Sequence, residues 1–242
     1  MWRAQAALLA LSGLAGSSAF CAAPLPTDAG LLNRVFSDTA NFWMQQFTQL
    51  GGHYQAPGLT LYSVQVSGVC GQKQPLSGPF YCPADQHLYL DPSSLEAIGT
   101  RARADSALAE DFVIAHLVAH HVQFLIGTTA LLQQARSSST PDNANRMLIT
   151  MELQADCYAG LWLHSAAQRK LLAVPPGGLA AALAAVSSES QARVHALPAG
   201  TLVPDPMDTG TVAQRLRWTQ RGLDSGDFEA CDSFGAAGKG DL

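Results

Sequence analysis

Residues 112–127 read FVIAHLVAHHVQFLIG and lie within a strongly apolar stretch over 105–126. Such a stretch predicts one long, buried helix. Two histidines, His116 and His120, sit four residues apart in it. On a helix their rings leave the same face, with Cβ atoms roughly 6 Å apart. Two imidazole nitrogens so placed can converge on one ion at about 2.0–2.1 Å. His121, the next residue round, points away from that face. The pair alone is weak evidence, because seven histidines in 242 residues produce this spacing by chance in roughly one chain in five.

A third ligand is available in MELQADCYAG, residues 151–160, within a helix predicted over 146–170. Glu152 and Asp156 again share one face. Glu152 could complete a His₂Glu zinc site whose fourth position is left to water. Asp156 could accept the free N–H of a ligand histidine. Their neighbours Met151, Leu153, Ala155, Cys157 and Tyr158 are mostly apolar, which argues for burial, and buried carboxylates need partners. Each segment strengthens the other.

Around these helices the chain predicts an α+β fold, mainly helical with a small β-sheet. A helix over 28–51 opens on an aspartate cap; LTLYSVQV (59–66) and HLYLDP (87–92) read as strands flanking a Gly/Pro-rich cysteine loop. Helical stretches follow at 92–101 and 105–126, with a Ser/Thr/Pro/Asn loop at 137–145 before the helix at 146–170. Two more helices, over 175–197 and 211–226, flank a Pro/Asp-rich connector at 198–208. No repeat or shift in composition divides the chain, so residues 23–242 are expected to form a single domain. His53, His87, His164 and His195 have no partner at ligand spacing and read as surface or satisfied core residues.

The net charge of −5 and the absence of any Lys/Arg block argue against nucleic acid and anionic membranes as partners. Residues 1–22 read as a secretory signal, with one arginine, an Ala/Leu-rich run and then small residues. A retained N-terminal anchor is the alternative, although the most apolar part falls short of about 20 residues, and no stable membrane span is expected in the mature chain. Phe20 beside Cys21 argues against lipidation. Cys70, Cys82, Cys157 and Cys231 remain, an even count that suggests two disulfides in a periplasmic or extracellular protein. Three pairings are open, and a local bridge closing the loop between Cys70 and Cys82 is the natural first guess.

FVIAHLVAHHVQFLIG followed by MELQADCYAGLWLHSA resembles the neutral zinc metallopeptidase family of bacteria, whose pattern is similar to H-E-V-G-H-H-V-Q and then E-L-Q-A-D-C-x-A-G-x-W. The likeness continues in GPFYCPADQHLYLD (78–91) and AQRLRWTQRGLDSGDFEACDSF (213–234). The resemblance implies a zincin-like helix pair beside a small sheet. It also implies His116, His120 and Glu152 as zinc ligands, Asp156 as a supporting carboxylate, and bridges Cys70–Cys82 and Cys157–Cys231.

Two departures bear on activity. The family's glutamate, which moves the proton of the metal-bound water, is Leu117 here, and general acid–base help of that kind is worth roughly 10²–10⁴ in rate. Glu110 shares the stripe of Leu117 but lies about 10.5 Å away along the axis. In TGTVAQR (209–215), Thr209 stands where the family pattern resembles a histidine, while Gln214 and Arg215 read as capping and helix-packing residues. The expectation is an exported, zincin-like protein without peptidase activity, retaining zinc and binding a peptide or protein partner. Two readings stand beside it. One is an active zinc endopeptidase whose base comes from elsewhere in the fold, such as Glu189. The other is a metal-free structural or interaction domain with both histidines packed in the core.

Overall fold

The computed structural model describes residues 29–196 and 210–241. The signal segment, Cys21, Asp28, the connector at 198–208 and Thr209 lie outside them, as does the side chain of His195. Helix α3 (Ser106–Leu125) is the element the others enclose, and from Phe112 to Gln123 every side chain is buried. A helix apolar on all faces has no side to offer water. It is surrounded by α1 (Ala29–Gln49), α2 (Pro92–Ala102), α5 (Pro141–Gln168) and α6 (Gly178–Ala196). Strand β2 (Phe80–Cys82) also touches α3. It lies at one edge of a three-stranded sheet, antiparallel to the central β3 (His87–Leu90), which pairs in parallel with β1 (Gly58–Leu61). The fold is α+β, mostly helical with a small mixed sheet.

The boundaries differ from the sequence reading in several places, among them β2, which lies in the expected cysteine loop, and the short helix Ser233–Gly238, which follows the last expected helix. The strand at 59–66 is cut to Gly58–Leu61, since the chain turns at Val64 (φ 63°), and Val66 forms only an isolated bridge to Leu76. The loop at 137–145 is largely helical. Thr140 caps α5 by accepting from Asn143 N–H, and Pro141 occupies the first turn, where its missing N–H costs nothing. A further helix, α4 (Thr128–Ser137), follows α3 directly. Gly127, at φ 84°, makes that turn possible and carries α4 toward the start of α5.

Helix α7 (Val212–Ser225) lies along α5 in the most extensive helix–helix contact of the fold. Two glycines permit it. A Cβ on Gly160 would run into the backbone of α7 at Thr219 and Leu223, and one on Gly222 into the Cys157 carbonyl. The close crossing brings Arg215 of α7 against Asp156 of α5. A short 3-10 turn, Phe228–Cys231, and helix α8 (Ser233–Gly238) complete the chain, tied to α5 by the Cys157–Cys231 disulfide. The second disulfide, Cys70–Cys82, closes the loop leading into β2. No single helix among the described residues is long and apolar enough to cross a membrane.

Candidate metal centre

Four polar side chains on α3, those of His116, His120, His121 and Gln123, are buried in its apolar surroundings. Each needs a partner inside the protein, and those partners define the site. The Nε2 atoms of His116 and His120 face one another at 3.1 Å. Glu152 Oε2, from α5, lies 3.2 Å from the first and 3.6 Å from the second. A tetrahedral ion with bonds of about 2.0–2.1 Å sets its ligands about 3.3 Å apart. The three separations bracket that value. Glu152 Oε2 is also buried without a well-formed hydrogen bond, so the carboxylate oxygen and two imidazole nitrogens point at a common space. The donor set fits zinc.

The far side of each ring is held. His116 Nδ1 lies 2.9 Å from Asp156 Oδ1. Arg215 in turn donates to both oxygens of Asp156, from Nε at 2.9 Å and from a terminal nitrogen at 2.8 Å. Arg215 is itself buried, its guanidinium over the ring of Phe112. The helix-packing role expected of Arg215 therefore becomes a buried ion pair behind the site, whereas Gln214 does cap α7, in a reciprocal box with Thr211. His120 Nδ1 meets Gln123 Oε1 at 2.9 Å. The Gln123 amide donates to Met151 O (2.8 Å) and Gln154 Oε1 (3.0 Å), which fixes its orientation. Gln154 continues to the carbonyl of Cys231 at 3.4 Å.

Charges follow these contacts. Burial alone would raise both carboxyls, but Arg215 more than reverses it at Asp156, and the two imidazoles do so at Glu152, so both acids sit below their ordinary values. Burial pulls His116 down, yet the carboxylates of Asp156 and Glu152 overturn that and leave it raised. His121 is different. Burial lowers it, its Nε2 donates to the Gln55 carbonyl at 2.7 Å, and its Nδ1 meets the hydroxyl of Tyr81 at 2.9 Å.

Leu117 is wholly enclosed in the main core. A cavity of about 200 Å³ opens beside His120 and Glu152, walled by Tyr81, Pro83, Leu132, Leu148 and Met151. Among the described residues, Glu152 is the one carboxylate in its lining. Glu110 is packed against Gly99 of α2, and Glu189 pairs with Arg101 at 2.7 Å. Neither lines the cavity. Of the other histidines, His164 is half-buried and bonded to Leu223 O at 2.6 Å, while His87 pairs with Asp85 at the sheet end.

Residues 19–234 match the family described as "Putative neutral zinc metallopeptidase". The chain belongs to this family. Among its relatives, YpfJ of Escherichia coli (strain K12) is 40% identical over 201 residues, which cover 83% of this chain and 69% of that protein. Rv2575 of Mycobacterium tuberculosis is 33% identical over 196 residues, covering 77% and 65%. No solved structure matches the chain. For a member of this family, the geometry adds Gln123, Gln154 and Tyr81 to the residues read from sequence and gives Arg215 its place behind Asp156. Gln123 had a local signal, as it stands three residues after His120 on one helix face. Arg215 had none, because its partner lies on another helix.

Proposed function

We propose that the protein is an exported, zinc-binding member of the metallopeptidase family that has lost peptidase chemistry and binds a peptide or protein partner. His116, His120 and Glu152 hold the metal, with Asp156 behind His116. Bound zinc supplies a Lewis acid and an activated water. The observation that carries the reading is Leu117: the position that holds the base in this family is a buried leucine, and Glu152, the carboxylate in the cavity lining, is committed to the ion. The two disulfides suit an oxidising, extracytoplasmic compartment, in keeping with the signal-like N-terminus.

The deciding experiment measures zinc per purified chain and casein cleavage, each beside a Glu152→Ala control. About one zinc, lost in the control, with no cleavage above the control, is the expected outcome. Chelator-sensitive cleavage by the native chain would overturn the loss of activity. Absence of zinc would overturn the metal site, and an unchanged melting temperature on adding chelator would then mark a metal-free domain. Leu117→Glu returns the family's carboxylate to that position, and chelator-sensitive casein cleavage by this variant alone would show that Leu117 is what silences the native chain.

A further inference from the structure

We infer that the cavity beside His120 and Glu152 is a side-chain pocket that accepts one uncharged, apolar residue of a bound peptide, of the size of leucine or methionine. The inference rests on the peptide-binding reading above and names what that site selects. At about 200 Å³ the cavity falls below the roughly 300–1,000 Å³ of a cofactor or drug-sized site. Yet it exceeds the share of several waters, about 30 Å³ each. That is room for one side chain.

Its walls come from four elements. Tyr81 and Pro83 belong to β2 and the turn after it, His120 to α3, Leu132 and Gln133 to α4, and Leu148 and Met151 to α5. Pro83, Leu132, Leu148 and Met151 offer no hydrogen bond of consequence to an occupant, and the Met151 thioether can adjust its shape. Lysine, arginine and aspartate are absent from the described lining. A lysine or arginine side chain placed there would lose its water, and Glu152, already shared between the two imidazoles and the ion, is not free to pair with it.

A second observation points to a ligand. Thr129, at the start of α4, lines the same cavity, and its Oγ1 is buried without a hydrogen-bond partner. Buried hydroxyls in folded proteins are nearly always satisfied, and this one can donate to a peptide carbonyl. Ile126, at the end of α3, and Leu131, on α4, are exposed, 42% and 68% respectively. Among the described residues, the larger cavities of about 530, 430 and 410 Å³ have none of the three metal-donor residues in their lining.

The test titrates three capped peptides, acetyl-Gly-X-Gly-amide with X leucine, alanine or lysine, into the full chain by calorimetry, with zinc content measured on the same samples. Each buried methylene is worth about fourfold in affinity, so the leucine peptide should bind at least tenfold tighter than the alanine peptide, and the lysine peptide should bind no better than alanine. Leu148→Trp fills the pocket and should reduce the leucine preference below threefold with zinc content unchanged. Leu132→Trp serves if that variant does not fold. Equal affinities, no detectable binding, or a preference that survives the filled pocket would each overturn the proposal. A leucine preference without zinc would sustain the pocket and defeat the metal reading, whereas zinc without preference would defeat the pocket alone.

Discussion

His116 and His120 occupy one face of α3, yet their back sides are secured by opposite means. His116 is held through charge: its ring meets Asp156, which is gripped by Arg215 of α7. His120 is held through neutral amides: Gln123, then Gln154, then the carbonyl of Cys231 beside the disulfide. The ionic arm depends on the glycine-to-glycine crossing of α5 and α7. The amide arm depends on the C-terminal turn being tied to α5. The difference determines what failure looks like. Cutting the ionic arm strands a buried charge, while cutting the amide arm frees a ring to turn.

The largest effect expected from this contrast is on stability, through the ionic arm. Arg215→Met removes the cation from Asp156, which has no access to water, and breaking a buried pair from one side costs about 3–5 kcal/mol. Urea unfolding of the metal-free protein measures it. Arg215→Met with Asp156→Leu should recover part of the loss, because the stranded charge is gone. A loss under about 1 kcal/mol in the single variant would mean that water reaches Asp156 and that the arm is not ionic in effect.

Gln123→Leu is the matching cut in the amide arm. Removing an outer hydrogen bond from a ligand histidine typically lowers metal affinity about 10–100-fold, and the orphaned partners cost about 1–3 kcal/mol. Competition with a chromophoric chelator reads the affinity. Zinc affinity within twofold of the native chain would show that helix geometry alone aims His120.

The sequence made the buried His116–His120–Glu152 cluster legible and the arms mostly illegible, for a physical reason. His116 with His120, and Glu152 with Asp156, are each four apart on one helix, so local geometry alone puts each pair on a face. The meeting of the two faces needed tertiary packing, and the apolar neighbours of both pairs hinted at it. The Asp156–Arg215 pair crosses helices through a contact set by Gly160 and Gly222, and no local spacing encodes it. Helix α4 and the first turn of α5 were obscured because Thr140 and Pro141 serve equally in a loop and at a helix start. Val64 ended β1 early although valine favours strands, the turn outweighing the propensity.

The arms should also differ in their response to pH, with an effect smaller than either cut. His116 is raised in the folded protein, so its contribution is complete below about pH 6.5, its ordinary value, and is lost as pH climbs through the folded value. Asp156 is lowered, so its contribution is present above 3.8 and is lost as pH falls through the depressed value. The metal-free protein should therefore weaken at both ends of the scale. Asp156→Asn should flatten both limbs, and Gln123→Leu, which touches neither His116 nor Asp156, should leave both in place. Equal changes in the two variants, read from melting temperature against pH, would erase the distinction between the arms.

Asp111 provides the smallest and most selective control, a carboxyl on α3 whose situation is the reverse of Asp156. Burial first, and the nearby Glu110 second, raise it from 3.8 to about 7. The sign is therefore opposite to that of the paired acid: its contribution is complete below about pH 4 and is lost as pH rises toward the folded value near 7. Above pH 7 the native state either holds a poorly solvated charge or keeps a proton against the solution. Asp111→Asn removes that conflict and should stabilise the protein at pH 8 by about 1–2 kcal/mol, with the gain shrinking toward pH 4. Zinc content should not change, since Asp111 lines the cavity beside Trp162 and Asp38 rather than the donor cluster. A gain that does not vary with pH would mean that Asp111 is as well solvated as a surface acid. The contrast between charge held by a partner and charge merely buried would then rest on Asp156 alone.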